Sequence, residues 1–268
     1  IIKRNGLIDP AEAAKHTAFQ RFERHHCNEM WQTDFKGDFL LGNGVRCYPL
    51  AILDDHSRFS IRIDPKDSAT GVKESFIAAF KEYGLPNSVL SDNGAQFAGA
   101  HRGLSTFERF LMDLDILPIH GRPIHPQTQG KIERFHRSLK QEALRTTPAN
   151  ITEAKARLEN WRWLYNEVRP HHALGMKTPG SVYQPSTRKY YEPKPYVYDQ
   201  GAKLIKVNNW GYLRFGSIQL FLSEAMADTR VEIRFAEDDK FSVIYRNYII
   251  ATVDAVEGKL LERHIRRL

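Results

Sequence analysis

Three acidic residues on different predicted elements are the side chains of this sequence best suited to catalysis. Asp34 lies within "WQTDFKG" (31–37), where apolar and polar residues alternate as in a half-buried β-strand. Asp92 ends the short apolar run of "NSVLSDNG", and Glu133 lies in the first turns of a predicted helix. Carboxylates are preferred ligands of Mg²⁺ and Mn²⁺, and two such ions about 4 Å apart can hold the attacking and leaving oxygens of a phosphodiester. If the three acids converge, they form a two-metal phosphoryl-transfer site.

Each of these acids also has an explanation that needs no catalytic role. Asp92 precedes an Asn-Gly pair, and turn chemistry alone accounts for an Asp there. Glu133 is favoured near a helix start by the helix dipole, and it can pair with Arg137 four residues on. Asp34 is harder to explain in this way, because Asp is depleted in strands. A second acidic pair, Asp54 and Asp55, precedes a predicted hairpin tip, where a turn role is sufficient.

The elements that must position these acids follow the order of an α/β domain. The Asp34 strand, "VRCYPLAILDD" and "RFSIRI" predict three antiparallel strands, and "SATGVKESFIAAFKEYG" predicts a helix ending at Gly84. A strand before Asp92, a helix capped by Ser105 and Glu108, the strand "LPIHG" and two further helices complete the pattern. This order predicts a mixed sheet with flanking helices.

The rest of the chain predicts a linker and a second, all-β unit. "QPSTRKYYEPKPYVYDQG" has three prolines and no periodicity, and six short alternating segments after it are typical of a small β-barrel or sandwich. The predicted domains are an N-terminal linker or remnant of an upstream DNA-binding region (1–29), a catalytic core (30–184), a linker (185–201) and a small β-barrel (202–268).

Composition narrows the class of protein. The 268 residues include 39 Lys and Arg against 32 Asp and Glu, a net charge of +7, which favours a polyanionic partner such as nucleic acid but is also compatible with ordinary solvated charge. Two cysteines, Cys27 and Cys47, are too few for a disulfide framework or a cysteine zinc site, so a reducing cytoplasm is expected. No apolar run approaches the roughly 18 residues of a membrane-spanning helix.

Read in order, these stretches resemble the catalytic core of the DDE integrases and transposases, with the retroviral integrases as distant relatives. "WQTDFKG", "SDNGAQF" and "HPQTQGKIERFHRSLK" are similar to the three acidic blocks, and "NEVRPHHALGMKTP" to the segment after the core. The linker and β-barrel resemble the C-terminal domain of insertion-sequence transposases from bacteria. The resemblance covers nearly the whole chain.

The resemblance implies an RNase H-like fold in which Asp34, Asp92 and Glu133 bind two Mg²⁺ ions, with Mn²⁺ as a substitute. The implied activity is cleavage of the 3′ ends of element DNA and strand transfer into target DNA. Two alternatives are a nuclease of the same fold without strand transfer and a non-catalytic DNA-binding protein derived from a transposase. The implied partners are double-stranded DNA and further copies of the chain. The implied location is the bacterial cytoplasm, in association with the nucleoid.

Two features depart from the family pattern. Asp92 and Glu133 are 41 positions apart, longer than the usual gap, and the excess falls in "AGAHRGLST". A surface insertion there costs little and leaves the acids free to meet. "HHC" (25–27) has adjacent histidines without a second nearby cysteine, which is not a usable spacing for zinc ligands, so no zinc site is predicted.

One face of the Glu133 helix is expected to contact DNA. At 100° per residue, Glu133, His136, Arg137 and Lys140 lie opposite the apolar stripe of Ile132, Phe135 and Leu139. An ordinary solvated helix face is the alternative. The predicted DNA contacts are Gln129, Lys131, Arg134, His136, Arg137 and Lys140.

Overall fold

A mixed β-sheet organises the chain before residue 190. The computed structural model describes residues 23–98, 103–121, 130–236, 239–262 and 265–268. The strands of this sheet are β1 (Trp31–Phe35), β2 (Phe39–Leu40), β3 (Arg46–Asp54), β4 (Ser60–Lys66), β5 (Ser88–Ser91) and β6 (Leu117–His120). β3 pairs antiparallel with β1, β4 and the short β2, whereas β5 runs parallel to both β1 and β6. The three antiparallel strands and the later strands predicted from the sequence are confirmed.

Helices cover both faces of this sheet. They are α1 (Val72–Tyr83), α2 (Ala95–Ala98), α3 (Thr106–Asp113), α4 (Gly130–Glu142), α5 (Ile151–Trp163) and α6 (Pro179–Val182). Trp31, Leu50 and Ile52 pack on α1 and α3, whereas the alternate residues Ala51 and Leu53 pack on α4 and α5. The period of two along each strand therefore divides the core into two layers around the sheet.

Local sequence signals set the helix ends. Ser105 and Glu108 form the predicted capping box, each side chain bonding the backbone N–H of the other. Gly84 ends α1 at φ 80°, a conformation that favours glycine. α5 ends at Trp163, and the chain continues as a π-helical turn over Leu164–Val168. That turn places Asn166 against both backbone polar groups of Ser60, at an irregularity of the β3–β4 ladder.

The C-terminal region is all-β and has its own core. Its strands are β7 (Leu204–Lys206), β8 (Tyr212–Phe215), β9 (Ile218–Phe221), β10 (Arg230–Phe235), β11 (Lys240–Tyr245), β12 (Tyr248–Asp254), β13 (Leu260–Glu262) and β14 (Arg266–Arg267). The six predicted strands are all present. β7, β10, β11, β12 and β13 pair antiparallel in the spatial order β13-β12-β11-β10-β7, and the β8–β9 hairpin shares their apolar core.

The all-β region rests on α3 and on the strand that follows it. Tyr245 donates a hydrogen bond to Asp113 at 2.6 Å, and Arg246 pairs with the same carboxylate at 2.7 Å. Leu104 and Met112 enter the apolar core of the β region. The segment between α6 and the all-β region packs against the core domain, because Arg188 donates to the carbonyl oxygens of Pro86, Leu114 and Asp115.

Among the described residues, no helix has the length and apolarity needed to cross a lipid bilayer.

Candidate active site

The parallel pairing of β1 and β5 brings the first two acids to the same edge of the sheet. Gln32 in β1 lies opposite Leu90 in β5. Continuing that register by two residues along each strand sets Asp34 beside Asp92, which directly follows β5. Since side chains two residues apart share a face, both carboxylates lie on one side at the carboxyl end of the strands.

Helix α4 brings the third acid to the same face. Ile132, Phe135 and Leu139 are buried and pack in one cluster with Ala51, the residue directly opposite Asp34 in the β1–β3 ladder. Glu133, next to Ile132 on the helix, is exposed. The apolar stripe predicted from the sequence therefore holds α4 over the strand that carries Asp34.

The charges of the three acids act on one another. Burial, followed by the negative charges of Asp92 and Glu133, raises the pKa of Asp34 to about 7, against the lowering effect of a hydrogen bond from the backbone of Phe35. As they stand, no three His, Cys, Asp or Glu side chains among the described residues are arranged to hold a metal ion. Like charges repel, and the three carboxylates are near enough to influence one another but do not form a preformed set of metal ligands.

The donor set nevertheless fits divalent metal ions. The site offers three carboxylates: a half-buried Asp near the carboxyl end of β1, a second Asp beside it and a Glu on the covering helix. Carboxylate oxygens are ligands of the kind that Mg²⁺ and Mn²⁺ prefer. Burial and the charges of Asp92 and Glu133 disfavour the ionised form of Asp34, so that form needs compensation by positive charge. A cation would supply that compensation.

A histidine and a lysine flank Asp34. His136 Nδ1 lies 3.6 Å from Asp34 Oδ2, and its side chain is 12% exposed. Burial and the charge of Lys36 lower the pKa of His136 to about 4, so the ring is neutral at neutral pH. Burial and the positive charge of Lys140 lower the pKa of Lys36, so the two cations act on one another. The sequence reasoning missed Lys36, although its spacing of two from Asp34 places it on the same strand face.

The turn after β5 fixes Asp92 locally. The backbone N–H of Gly94 donates to Asp92 Oδ1 at 2.9 Å, the turn chemistry that the Asn-Gly pair predicts. His120 Nδ1 lies 3.2 Å from the Asp92 carbonyl oxygen, and its Nε2 lies 2.8 Å from Glu108 Oε1. The helix-capping Glu108 thus also supports the loop that carries an acid. Sequence reasoning identified Glu108 only as a cap and missed His120.

The predicted DNA contacts do not all lie in one place. Arg134, Arg137 and Lys140 are exposed on α4, and Lys36 adds a cation next to Lys140. His136 is instead turned towards Asp34. Gln129 lies outside the described residues.

Lys131 does not lie with the exposed cations. Its ammonium is 2.5 Å from the carboxylate of Asp55, whose side chain is fully buried, and 3.1 Å from the Asp55 carbonyl oxygen. The sequence interpretation of Asp54 and Asp55 as simple turn residues was also incomplete, because both are completely buried and hydrogen-bonded.

Comparison with known proteins gives the class of this fold. Two family models, each described as "Integrase core domain", match residues 24–126 and 114–179, and together they span more than half of the chain. The simian T-cell lymphotropic virus intasome, solved in complex with PP2A regulatory subunit B56 gamma, is similar in fold over 94% of this chain and 84% of the solved chain, with a TM-score of 0.50 and 18% identity. The fold is that of an RNase H-like integrase catalytic core followed by an all-β region.

Two curated relatives come from bacterial insertion elements. The chain is 29% identical over 155 residues to the insertion element IS476 uncharacterized 39.2 kDa protein of Xanthomonas euvesicatoria, covering 57% of this chain and 43% of that protein. It is 30% identical over 158 residues to the insertion element IS407 uncharacterized 31.7 kDa protein of Burkholderia multivorans, covering 57% and 54%. This chain spans about half of the length of these relatives. It belongs to the integrase core family, as a DDE-type integrase or transposase of insertion sequences.

Proposed function

We propose that this chain is a transposase that cleaves the 3′ ends of its element with water and joins the exposed 3′ hydroxyls to target DNA. The observation that carries the proposal is the grouping of Asp34, Asp92 and Glu133: the charges of the other two acids contribute to raising the pKa of Asp34 to about 7. Membership of the integrase core family supports the same chemistry.

Asp34, Asp92 and Glu133 are the residues that would hold the metal ions, two per site. When bound, divalent ions supply charge stabilisation to the attacking and leaving oxygens of a phosphodiester. The protein positions the ligands: β1 and the turn after β5 hold the two aspartates on rigid backbone, and α4 presents the glutamate. The neutral ring of His136 lies beside the Asp34 carboxylate and adds no positive charge to it.

Both reaction steps are displacements at phosphorus. In the first, the oxygen of water attacks the phosphorus and a 3′ hydroxyl leaves. In the second, that 3′ hydroxyl attacks a phosphodiester of the target and displaces the 3′ oxygen of the target strand. Neither step needs a covalent intermediate with the enzyme, so the site requires no Ser, Tyr or Cys nucleophile.

Cations around the acids would hold the DNA. Arg134, Arg137 and Lys140 are exposed on α4, and Lys36 is close enough to Lys140 for the charges to interact. Phosphate contacts of this kind fix the register of the duplex and add a salt-dependent contribution to affinity. The DNA end would lie along α4, with its phosphates near the acids.

A strand-transfer assay with a pre-cleaved element end tests this function. Joined products in Mg²⁺ would support the transposase. Metal-dependent cleavage without joining would point instead to a nuclease of the same fold. Binding without any cleavage, in Mg²⁺ or Mn²⁺, would leave a non-catalytic DNA-binding protein.

Joining two ends to one target requires at least two active sites, so we also propose a homo-oligomer on DNA in the bacterial cytoplasm, associated with the nucleoid. The solved chain of similar fold is, by its name, part of a viral intasome. The mass of the complex with element ends checks the proposal, and one protomer for each pair of ends would contradict it.

A further inference from the structure

Asp55 is a buried carboxylate that binds two of the elements carrying the acids. Its side chain is fully buried, immediately after β3. Oδ1 accepts a hydrogen bond from Gln32 Nε2 at 2.7 Å, and Oδ2 accepts from Lys131 Nζ at 2.5 Å and from the backbone N–H of Arg24 at 3.0 Å. Gln32 belongs to β1, and Lys131 belongs to α4.

The spacing along both elements is the same. Gln32 precedes Asp34 by two residues on β1, and Lys131 precedes Glu133 by two residues on α4. The Asp55 carboxylate therefore joins β1, which carries Asp34, to α4, which carries Glu133. Each of the two bonds is made two residues from the acid on that element. Lys131 also donates to the Asp55 carbonyl oxygen at 3.1 Å, so its ammonium is held at two points of the same residue.

We propose that Asp55 and Lys131 are positioning residues that set the start of α4, and with it Glu133, relative to Asp34. This inference rests on the proposed function of the site. The Asp55–Lys131 pair, together with Gln32, is called the brace below.

The brace supplies what apolar packing alone does not. Ile132, Phe135 and Leu139 press α4 against the sheet, but contacts between methyl and ring groups have little directional preference. A buried ion pair with hydrogen-bond geometry fixes position and rotation. Because a helix is stiff, holding residue 131 also holds residue 133, about 3 Å further along the axis.

The geometry favours this role over direct contact of Lys131 with DNA. The Lys131 side chain is only 14% exposed, and its ammonium is bound to a fully buried partner. Moving it to a phosphate would leave the Asp55 carboxylate buried without its cation, at a large cost. The neighbouring cations Arg134 and Arg137 are exposed and meet no such penalty.

The test compares Lys131→Met with wild type. Met keeps most of the apolar stem but removes the charge. We expect cleavage and joining to require roughly 10-fold more Mg²⁺ for half-maximal rate, as is typical when a residue that orients a metal ligand is lost. The dissociation constant for element DNA and its salt dependence should be unchanged. Lys131→Arg, which keeps the cation, should recover most of the wild-type response to Mg²⁺.

A double variant keeps the test informative if Lys131→Met folds poorly. Asp55→Asn with Lys131→Met removes both charges, so no uncompensated ion remains buried. We expect it to fold better than Lys131→Met and still to show the weakened response to Mg²⁺. A double variant with the wild-type Mg²⁺ response would overturn the positioning role.

Arg162→Met is the matched control for loss of a buried cation. Arg162 is 16% exposed, pairs with Glu159 and donates to the carbonyl oxygen of Ser60, so it contacts neither β1 nor α4. It should lower the melting temperature and leave the Mg²⁺ response unchanged. If it shifts that response as much as Lys131→Met does, general destabilisation explains both and the positioning role is wrong.

Two further outcomes separate this inference from the proposed function. If Lys131→Met weakens DNA binding and lowers the log–log salt slope by about one, with a normal Mg²⁺ response, Lys131 is a phosphate contact and the brace is wrong. If wild type neither cleaves nor joins DNA, the proposed function fails. In that case, a Mg²⁺ titration followed by the melting temperature still compares metal binding by wild type and Lys131→Met, and equal affinities overturn the brace.

Discussion

The acids near the two ends of β1 differ in the groups that surround them. At one end, Asp34 lies near Asp92 and Glu133, and burial and the charges of those acids raise its pKa to about 7. At the other, Asp54 accepts hydrogen bonds from Asn28 N at 2.8 Å, Ser57 N at 2.8 Å and Ser57 Oγ at 2.6 Å. Asp55, the next residue, accepts hydrogen bonds from Gln32 and Lys131 in the brace.

The contrast shows that burial by itself does not identify a functional acid. Asp54 and Asp55 are more deeply buried than Asp34, and burial raises the pKa of Asp54 as well, but both carboxylates accept several hydrogen bonds. The charges that act on Asp34 are instead those of Asp92 and Glu133, which are negative as well. A carboxylate whose charged neighbours are other carboxylates is available to a cation from solution, whereas one that accepts several hydrogen bonds contributes to the fold.

The largest effect that separates the two ends is on catalysis. Asp34→Asn, Asp92→Asn and Glu133→Gln should each reduce cleavage and joining by roughly 1,000-fold or more, since metal-ion stabilisation of the transition state is worth several kcal/mol. Folding and DNA binding should persist. The measurement is Mg²⁺-dependent 3′-end processing and strand transfer, with DNA binding as control.

Glu142→Gln on the same helix is the matched control for Glu133→Gln. Glu142 accepts a hydrogen bond from Trp161 at 2.8 Å, away from the site, and Gln can still accept it. This variant should process DNA at nearly the wild-type rate. If Glu133→Gln is equally active, the third ligand has been assigned to the wrong residue.

The second effect is on stability, and it should be confined to the other end of β1. Asp54→Ala leaves two backbone N–H groups and a hydroxyl without their acceptor in a buried place, so the free energy of unfolding should fall by about 3 kcal/mol. Asp34→Ala should leave stability unchanged or raise it. Urea denaturation in EDTA makes the comparison, and equal losses would remove the distinction between the two ends.

The third effect is a pH dependence that belongs to Asp34. Its folded pKa, about 7, is above its unfolded value, so between about pH 4 and 7 the folded state binds the extra proton. Stability should therefore fall as pH rises through this window and level off above it. Relative to Asp34→Asn in EDTA, wild type should lose about 2 kcal/mol, less than the full linkage value because the side chain is 22% exposed.

Added Mg²⁺ should reverse this loss at pH 8 in wild type and not in Asp34→Asn. The measurement is the melting temperature across pH 4 to 8 with EDTA or with Mg²⁺. Parallel curves for the two proteins in EDTA would show that Asp34 ionises at an ordinary pH.

The smallest effect concerns the cations around the site. Lys36→Ala, Arg137→Ala and Lys140→Ala should each weaken binding to element ends and reduce the log–log salt slope by roughly one per lost phosphate contact. Lys155→Ala, an exposed lysine on α5, is the control and should change neither. Slopes that do not differ from the control would assign all of these cations to solvent.

Periodicity and local chemistry alone determined much of this protein. Alternation marked β1 and the strands of the all-β region, the stripe of Ile132, Phe135 and Leu139 marked the buried face of α4, and Ser105 with Glu108 marked the start of α3. Asp34 stood out because it broke such a pattern, whereas Asp92 and Glu133 had ordinary local explanations and were selected through the resemblance of the three acidic blocks to the DDE integrases and transposases. All of these signals act over a few residues, which is why they can be read along the chain.

Only the tertiary structure decided how the chosen residues are used. The brace joins residues 76 positions apart, and the support of Asp92 by His120 spans 28. Lys131 looked like one more helix cation and Asp55 like one more turn acid, since neither side chain has a local signal for burial. Whether a charge faces solvent, a phosphate or a buried counter-charge depends on which elements pack together, and that pairing is settled by the burial of apolar surface across the whole fold.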